Sequence, residues 1–174
     1  MKTHVERCGV PPGALIQQQL AGARFVDCQR ITLENAERTA LRHFLLLMAD
    51  TPRWIDTLMG VRNRLVQCVG LKNLGRMTRV DPARPDESYR PNDRVGIFTL
   101  IANAPDELLL ADQDKHLDVY LSVNRLPLRA DGTRDIVVST VVRTHNLLGR
   151  LYMLPVGPFH RFIAPLMLAN IARH

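Results

Sequence analysis

The chain has 174 residues, 46% of them hydrophobic and 23% charged, which suits one domain with a real core, leaves no room for a second, and excludes disordered, collagen-like and low-complexity classes. Lys plus Arg number 23 against 17 Asp plus Glu, a net charge of +6, but the basic residues are scattered or loosely grouped between Lys72 and Arg94 without interleaved aromatics, the pattern of a solvated face and not of a nucleic-acid platform. Cys8, Cys28 and Cys68 are odd in number and form no C-x-x-C pair, so they read as reduced thiols of a cytoplasmic protein.

The N-terminal arm, residues 1–20, carries no apolar core of the kind a secretory signal needs. The mixed alternation of Arg24 to Ile31 predicts a strand, and Thr32 or Glu34 is placed to open a helix. In that helix Ala36, Ala40, Leu41, Phe44, Leu45 and Met48 recur near helical period. Asp50-Thr51-Pro52 supplies a stop and a fresh start. Within Arg53 to Val69 an apolar stripe runs through Ile55, Leu58, Met59, Leu65 and Val66, Arg62 and Arg64 lie off it, and Gly70 suits a C-terminal cap. Residues 72–93 are rich in Pro, Arg and Asp and read as a mobile loop inside the single domain 1–174.

The period then changes. Val95 to Ala102, Leu108 to Ala111, His116 to Leu126 and Ile136 to Asn146 are strand-like, with turn chemistry between them, which predicts an antiparallel meander. Asn146 can cap a terminal helix. Its apolar run, Leu147 to Ile171, is interrupted by Gly149, Arg150, Pro155, Pro158, Arg161 and Pro165, so it reads as a helix buried in protein and not a membrane span, with a kink or break near Pro155 to Pro158. The expected class is α+β, a curved antiparallel sheet gripping a long C-terminal helix.

Four strings, WIDTLMGVRNRLVQCVGLK (Trp54 to Lys72), DRVGIFTLIANAPDELLLADQDKHLDVYLSV (Asp93 to Val123), STVVRTHNLLGRLYMLPV (Ser139 to Val156) and GPFHRFIAPLML (Gly157 to Leu168), carry a resemblance. In these segments the chain resembles a bacterial domain-of-unknown-function family near the START-like (SRPBCC) helix-grip superfamily. The resemblance implies an apolar cavity between sheet and C-terminal helix for lipids, sterols, polyketides or other hydrophobic molecules, and no particular reaction or cofactor. Related domains also look like attachments to Rossmann-type NAD(P)-binding proteins, and this chain has no G-x-G-x-x-G of its own.

One constellation carries chemistry. If Asp131-Gly132 is the two-residue centre of a hairpin, Asp118 faces His145, Tyr120 faces Arg143, Ser122 faces Val141, and His116 lies diagonally from His145 on the same side. The opposite side then carries Leu117, Val119, Leu121 and Val123. A slip by one residue would destroy this partition, whereas a slip by two would keep the faces and change the partners. His116, Asp118, Arg143 and His145 are therefore candidate acid/base or anion-holding residues, set against a plain cross-strand ladder on the sheet face away from the helix. No compact metal motif accompanies them, and no metal site is assigned.

For the cavity, the candidate wall residues on the terminal helix are Met153, Phe159, Phe162, Ile163, Leu166 and Met167, with Trp54 at the mouth. His160 is read as a polar-face residue. No nucleophile elbow or phosphate-cradling glycine run is present. Three functions follow: a carrier of a small hydrophobic or amphipathic ligand, an acid/base enzyme, or a module docking to a Rossmann-type partner.

Overall fold

The protein is described by a computed structural model over residues 4–34, 36–67, 80–81 and 83–173. Seven strands, β1 (Val5–Arg7), β2 (Phe25–Glu34), β3 (Arg94–Val95), β4 (Phe98–Asn103), β5 (Glu107–Gln113), β6 (Leu117–Arg125) and β7 (Thr133–Thr144), form one antiparallel curved sheet in the order β1-β2-β7-β6-β5-β4-β3. Among the described residues three α-helices accompany it, α1 (Ala40–Ala49), α2 (Arg53–Gln67) and α3 (Leu147–Asn170). The fold is α+β with a long C-terminal helix. Among the described residues no helix is long and apolar enough to cross a membrane.

The first long strand extends past its expected end. Thr32, Leu33 and Glu34 pair with Asp135, Arg134 and Thr133 of β7, so ladder bonds claim the residues that sequence placed at a helix start. The helix begins later, where the Thr39 hydroxyl accepts from the Arg42 backbone N–H at 3.1 Å. β1 went unread in the N-terminal arm because three residues are too short a run to show a period. Cys68, Val69, Gly70 and the basic residues Lys72, Arg76 and Arg79 lie outside the described residues.

Two further expectations change. The hairpin between β6 and β7 pairs Asp118 with Arg143 and Tyr120 with Val141, two residues out from the expected register. The tip explains it. Gly132 takes φ +78, Gly132 N donates to Arg129 O at 3.0 Å and Arg129 N to Thr133 O at 2.8 Å, so Ala130 and Asp131 sit at the centre with a left-handed glycine after them. Pro127, which has no N–H to donate, lies before the ladder resumes at Leu126 N to Asp135 O. Because the slip is even, the faces survive. Of the kink or break expected in α3, the break does not occur: the helix is continuous through Pro155, Pro158 and Pro165. Pro155 and Pro158 are exposed, on a side where carbonyls deprived of their helical partner can be solvated.

The Asn146 side chain caps α3 as expected, accepting from Gly149 N at 3.0 Å. A Cβ at Gly149 would come within 2.2 Å of the His116 carbonyl oxygen, so the helix start seats directly on the beginning of β6. The two sheet faces are covered differently. On the outer face the arm lays Ile16, in a 3-10 turn over Leu15–Gln19, onto Leu109, Tyr120 and Val141. On the inner face α1 packs Leu41, Phe44, Leu45 and Met48 against Leu108, Leu110, Val123 and Ile136 in the main core. The remainder of that inner face lies under α2 and α3.

Candidate functional site

Between this remainder and the two helices is a cavity of about 510 Å³, within the range of small-molecule sites. Strand period decides its floor. Phe25, Asp27 and Gln29 of β2 stand opposite Val142, Thr140 and Val138 of β7, with Leu117, Val119 and Leu121 of β6 continuing the same face. Ile55, Leu58, Met59 and Arg62 line it from α2, and Met153, Phe159, Ile163 and Met167 from α3.

The wall is chiefly apolar, with one polar pole in the floor. Asp27 is only 7% exposed. Its Oδ1 accepts from Gln29 Nε2 at 3.1 Å. Its Oδ2 lies 3.3 Å from His160 Nδ1 on α3, the ion-pair partner nearest to it, and both atoms are closed off from solvent. Burial pushes the Asp27 carboxyl up, while the His160 ring, the Gln29 amide and the Arg7 charge pull it down, and the net direction is downward. Phe25 meets the His160 ring edge-on at 5.4 Å. Close approach is possible because Gly157, one turn earlier on α3, faces the Phe25 ring, which a Cβ would meet at 3.3 Å.

A second polar contact stands at the side, where Arg62 Nε donates to the Tyr152 hydroxyl at 2.9 Å and its guanidinium lies 5.2 Å from that ring's centre. Arg62 also donates to Asn63 Oδ1. Asp112 and Asp114 line the cavity too, Asp112 with Arg94 at 3.9 Å.

The cavity takes in four of the seven residues expected in its wall. Met153, Phe159, Ile163 and Met167 line it, whereas Trp54, Phe162 and Leu166 do not. Phe162 is 60% exposed, and it shares the outer stripe of α3 with Leu147, Leu151, Leu154 and Leu166, the positions that helical period turns away from the sheet. His160, read from sequence as a polar-face residue, lines the cavity instead, because Gly157 lets that turn of α3 approach β2. Asp27 and Gln29 were missed outright. Their signal was present in RFVDCQRI, where Phe25, Asp27, Gln29 and Ile31 alternate onto one face, but period alone does not say that the face is inward.

His116, Asp118, Arg143 and His145 are brought together on the other face. His145 Nε2 lies 3.1 Å from Asp118 Oδ2, and Asn146 Nδ2 lies 2.9 Å from His116 Nδ1. Arg143 donates from Nε to Gln19 O at 3.0 Å and from Nη2 to Gln18 O at 3.1 Å, with Tyr120 6.0 Å beneath its guanidinium. None of the four lines the cavity. Arg143 is the clasp that holds the N-terminal arm to the sheet. Among the described residues no group of three or more His, Cys, Asp or Glu is placed to hold a metal ion.

A family model described as "Protein of unknown function (DUF2867)" matches residues 19–167. The chain belongs to this family. No curated protein and no solved structure matches it. The matched span of the DUF2867 domain contains Asp27, His160, α2 and all of α3 but its last three residues.

Proposed function

We propose that this DUF2867 chain is a helix-grip domain of the START-like kind that holds a small hydrophobic or amphipathic molecule between its sheet and α3. The observation that carries this reading is the cavity itself, about 510 Å³ on the inner sheet face, left open where a tightly packed domain would have only small voids. Met153, Met59 and Met167 in its wall supply deformable surface that suits a range of apolar shapes. A cytoplasmic setting fits the free thiols of Cys8 and Cys28.

The test is titration of the neutral naphthalene dye prodan against wild type and two filled variants, Met167→Trp and Ala164→Phe. Saturable wild-type binding should weaken at least about tenfold, roughly 1.4 kcal/mol, in a variant that keeps its folded signal. Absence of saturable binding in wild type, or equal binding by a folded filled variant, overturns the carrier reading. A docking module for a Rossmann-type partner is the second reading, supported by the exposed stripe of Leu147, Leu151, Leu154 and Phe162. It moves ahead if wild type takes up no probe. Acid/base chemistry at His116, Asp118, Arg143 and His145 has the 3.1 Å contact between His145 and Asp118 in its favour, away from the cavity.

A further inference from the structure

Away from the cavity, the fold brings two thiols together at the edge of the sheet. The β1–β2 pairing sets Glu6 opposite Arg30 and Arg7 opposite Gln29. One step further Cys8 stands opposite Cys28, and Cys8 N donates to Cys28 O at 3.1 Å. Directly opposed residues at a hydrogen-bonded position of an antiparallel pair have Cα atoms about 5.5 Å apart, inside the roughly 4.4–6.8 Å that disulfides span. The two Sγ atoms are 3.2 Å apart with nothing between them. Closing that gap to a bond of about 2.05 Å takes side-chain rotation and no change of strand register.

The two sulfurs are not equivalent. Cys28 is buried, its Sγ 3.2 Å from Gly9 O and 3.2 Å from the Ser139 hydroxyl, whereas Cys8 is only half-buried. A reagent therefore meets Cys8 first, and Cys28 is the thiol already in place to follow. Burial, reinforced by the Cys28 thiol beside it, pushes the Cys8 thiol up to about 12. At neutral pH Cys8 is protonated, so its first encounter with an oxidant is slow and quickens with rising pH. The second step needs no search, because its partners are already in contact.

We propose that Cys8 and Cys28 form a reversible modification site, a cross-strand dithiol that a small-molecule disulfide oxidises to an intramolecular disulfide. Cys8, its proton lost to solvent, attacks one sulfur of the reagent; the reagent S–S bond breaks and one thiolate leaves and is protonated. Cys28, losing its own proton, then attacks Cys8 Sγ, forms the Cys8–Cys28 bond and expels the second reagent thiol. Two cysteines give up two electrons, and one reagent disulfide becomes two thiols. The bond would close a loop that holds the 3-10 turn Leu15–Gln19, with the buried Ile16 and the Gln18 and Gln19 carbonyls that Arg143 clasps. Oxidation thus ties both ends of the arm that covers the outer face, and the exposure of Cys8 leaves the bond open to reductant. This site is independent of the carrier reading.

The test is equilibration of wild type, Cys8→Ser and Cys68→Ser at pH 8 in glutathione buffers of rising oxidised share, followed by acid quenching, alkylation and peptide mass mapping. Wild type and Cys68→Ser should lose two hydrogens, join the Cys8 and Cys28 peptides, and recover both thiols when reductant is restored. The oxidised form of each should melt at least about 3 °C above its reduced form, and Cys8→Ser should show neither the cross-link nor the rise. Glutathione left standing on Cys8, a bridge through Cys68, or free thiols at every buffer ratio overturns the site. A cross-link that forms without raising the melting temperature overturns the tie on the arm. If Cys8→Ser does not fold, the wild-type peptide map and its two melting curves still decide.

Discussion

Two buried aspartates lie on opposite faces of the same sheet, and their surroundings differ in kind. Asp135, 4% exposed, is on the outer face of β7. Its Oδ1 accepts from the Thr32 hydroxyl at 2.7 Å, and its Oδ2 is paired with Arg129 and lies 3.6 Å from Arg30. Asp27, on the inner face of β2, has the Gln29 amide on one oxygen and the His160 ring 3.3 Å from the other. Both carboxylates are removed from water. The chain surrounds one with a hydroxyl and two guanidinium groups and gives the other an amide and a nearby imidazole, so burial of a charge by itself does not mark a site.

A third buried titratable group sets the scale for leaving a valence unfilled. His43 of α1 is 1% exposed and neither ring nitrogen has a hydrogen-bond partner. Burial, reinforced by Arg38, Arg125 and Arg134, pushes its pKa down to about 4. Since the unfolded value is about 6.5, the unfolded chain binds this proton first. The His43 contribution to stability is then complete above about pH 6.5 and is lost as pH falls toward 4, by up to about 3 kcal/mol. Urea unfolding of wild type and His43→Leu across that window should show the variant losing less stability on acidification. Parallel pH curves would mean that the imidazole is not held neutral.

The outer aspartate should matter next most. Asp135→Ala removes the acceptor for Thr32 and strands Arg129 and Arg30, which should cost about 2 kcal/mol in denaturant unfolding. That is below the roughly 3–5 kcal/mol of a fully enclosed pair because both arginines reach solvent. The inner aspartate should be the smallest effect. Asp27→Asn should change stability by less than about 1 kcal/mol at neutral pH, its amide keeping an oxygen for Gln29. Its mark should be in acid. A carboxyl with a lowered folded pKa contributes stability above its unfolded value of about 3.9 and loses it as pH falls through the folded value. The wild-type advantage over Asp27→Asn should therefore be flat near neutrality and shrink below about pH 4. If Asp27→Asn proves more costly than Asp135→Ala, the contrast between the two faces fails.

Much of this architecture is legible from period and punctuation. The alternation in Leu117 to Val123 and in Val137 to Val142 assigns each side chain to a face. Asn146 followed by Leu147 marks where α3 begins, and Asp50-Thr51-Pro52 separates the two earlier helices. Face assignment survived even where register did not: the tip at Arg129 to Gly132 shifted the β6–β7 pairing by an even step, which exchanges partners while leaving every side chain on its side. Asp118 and His145 accordingly meet diagonally.

What local pattern by itself determined, then, is the longer strands, the three helices and the two faces of each long strand, because these depend on interactions among residues a few positions apart. Which face is covered by which partner was decided only by the tertiary structure. The arm of residues 15–19 covers the face that carries Tyr120 and Val141, and α2 and α3 roof the face that carries Asp27. No periodicity relates Asp27 to His160. They meet because β2 pairs with β7 in one particular register and Gly157 lets α3 lie close over Phe25, and the energy that favours that arrangement comes from contacts between segments far apart in the chain.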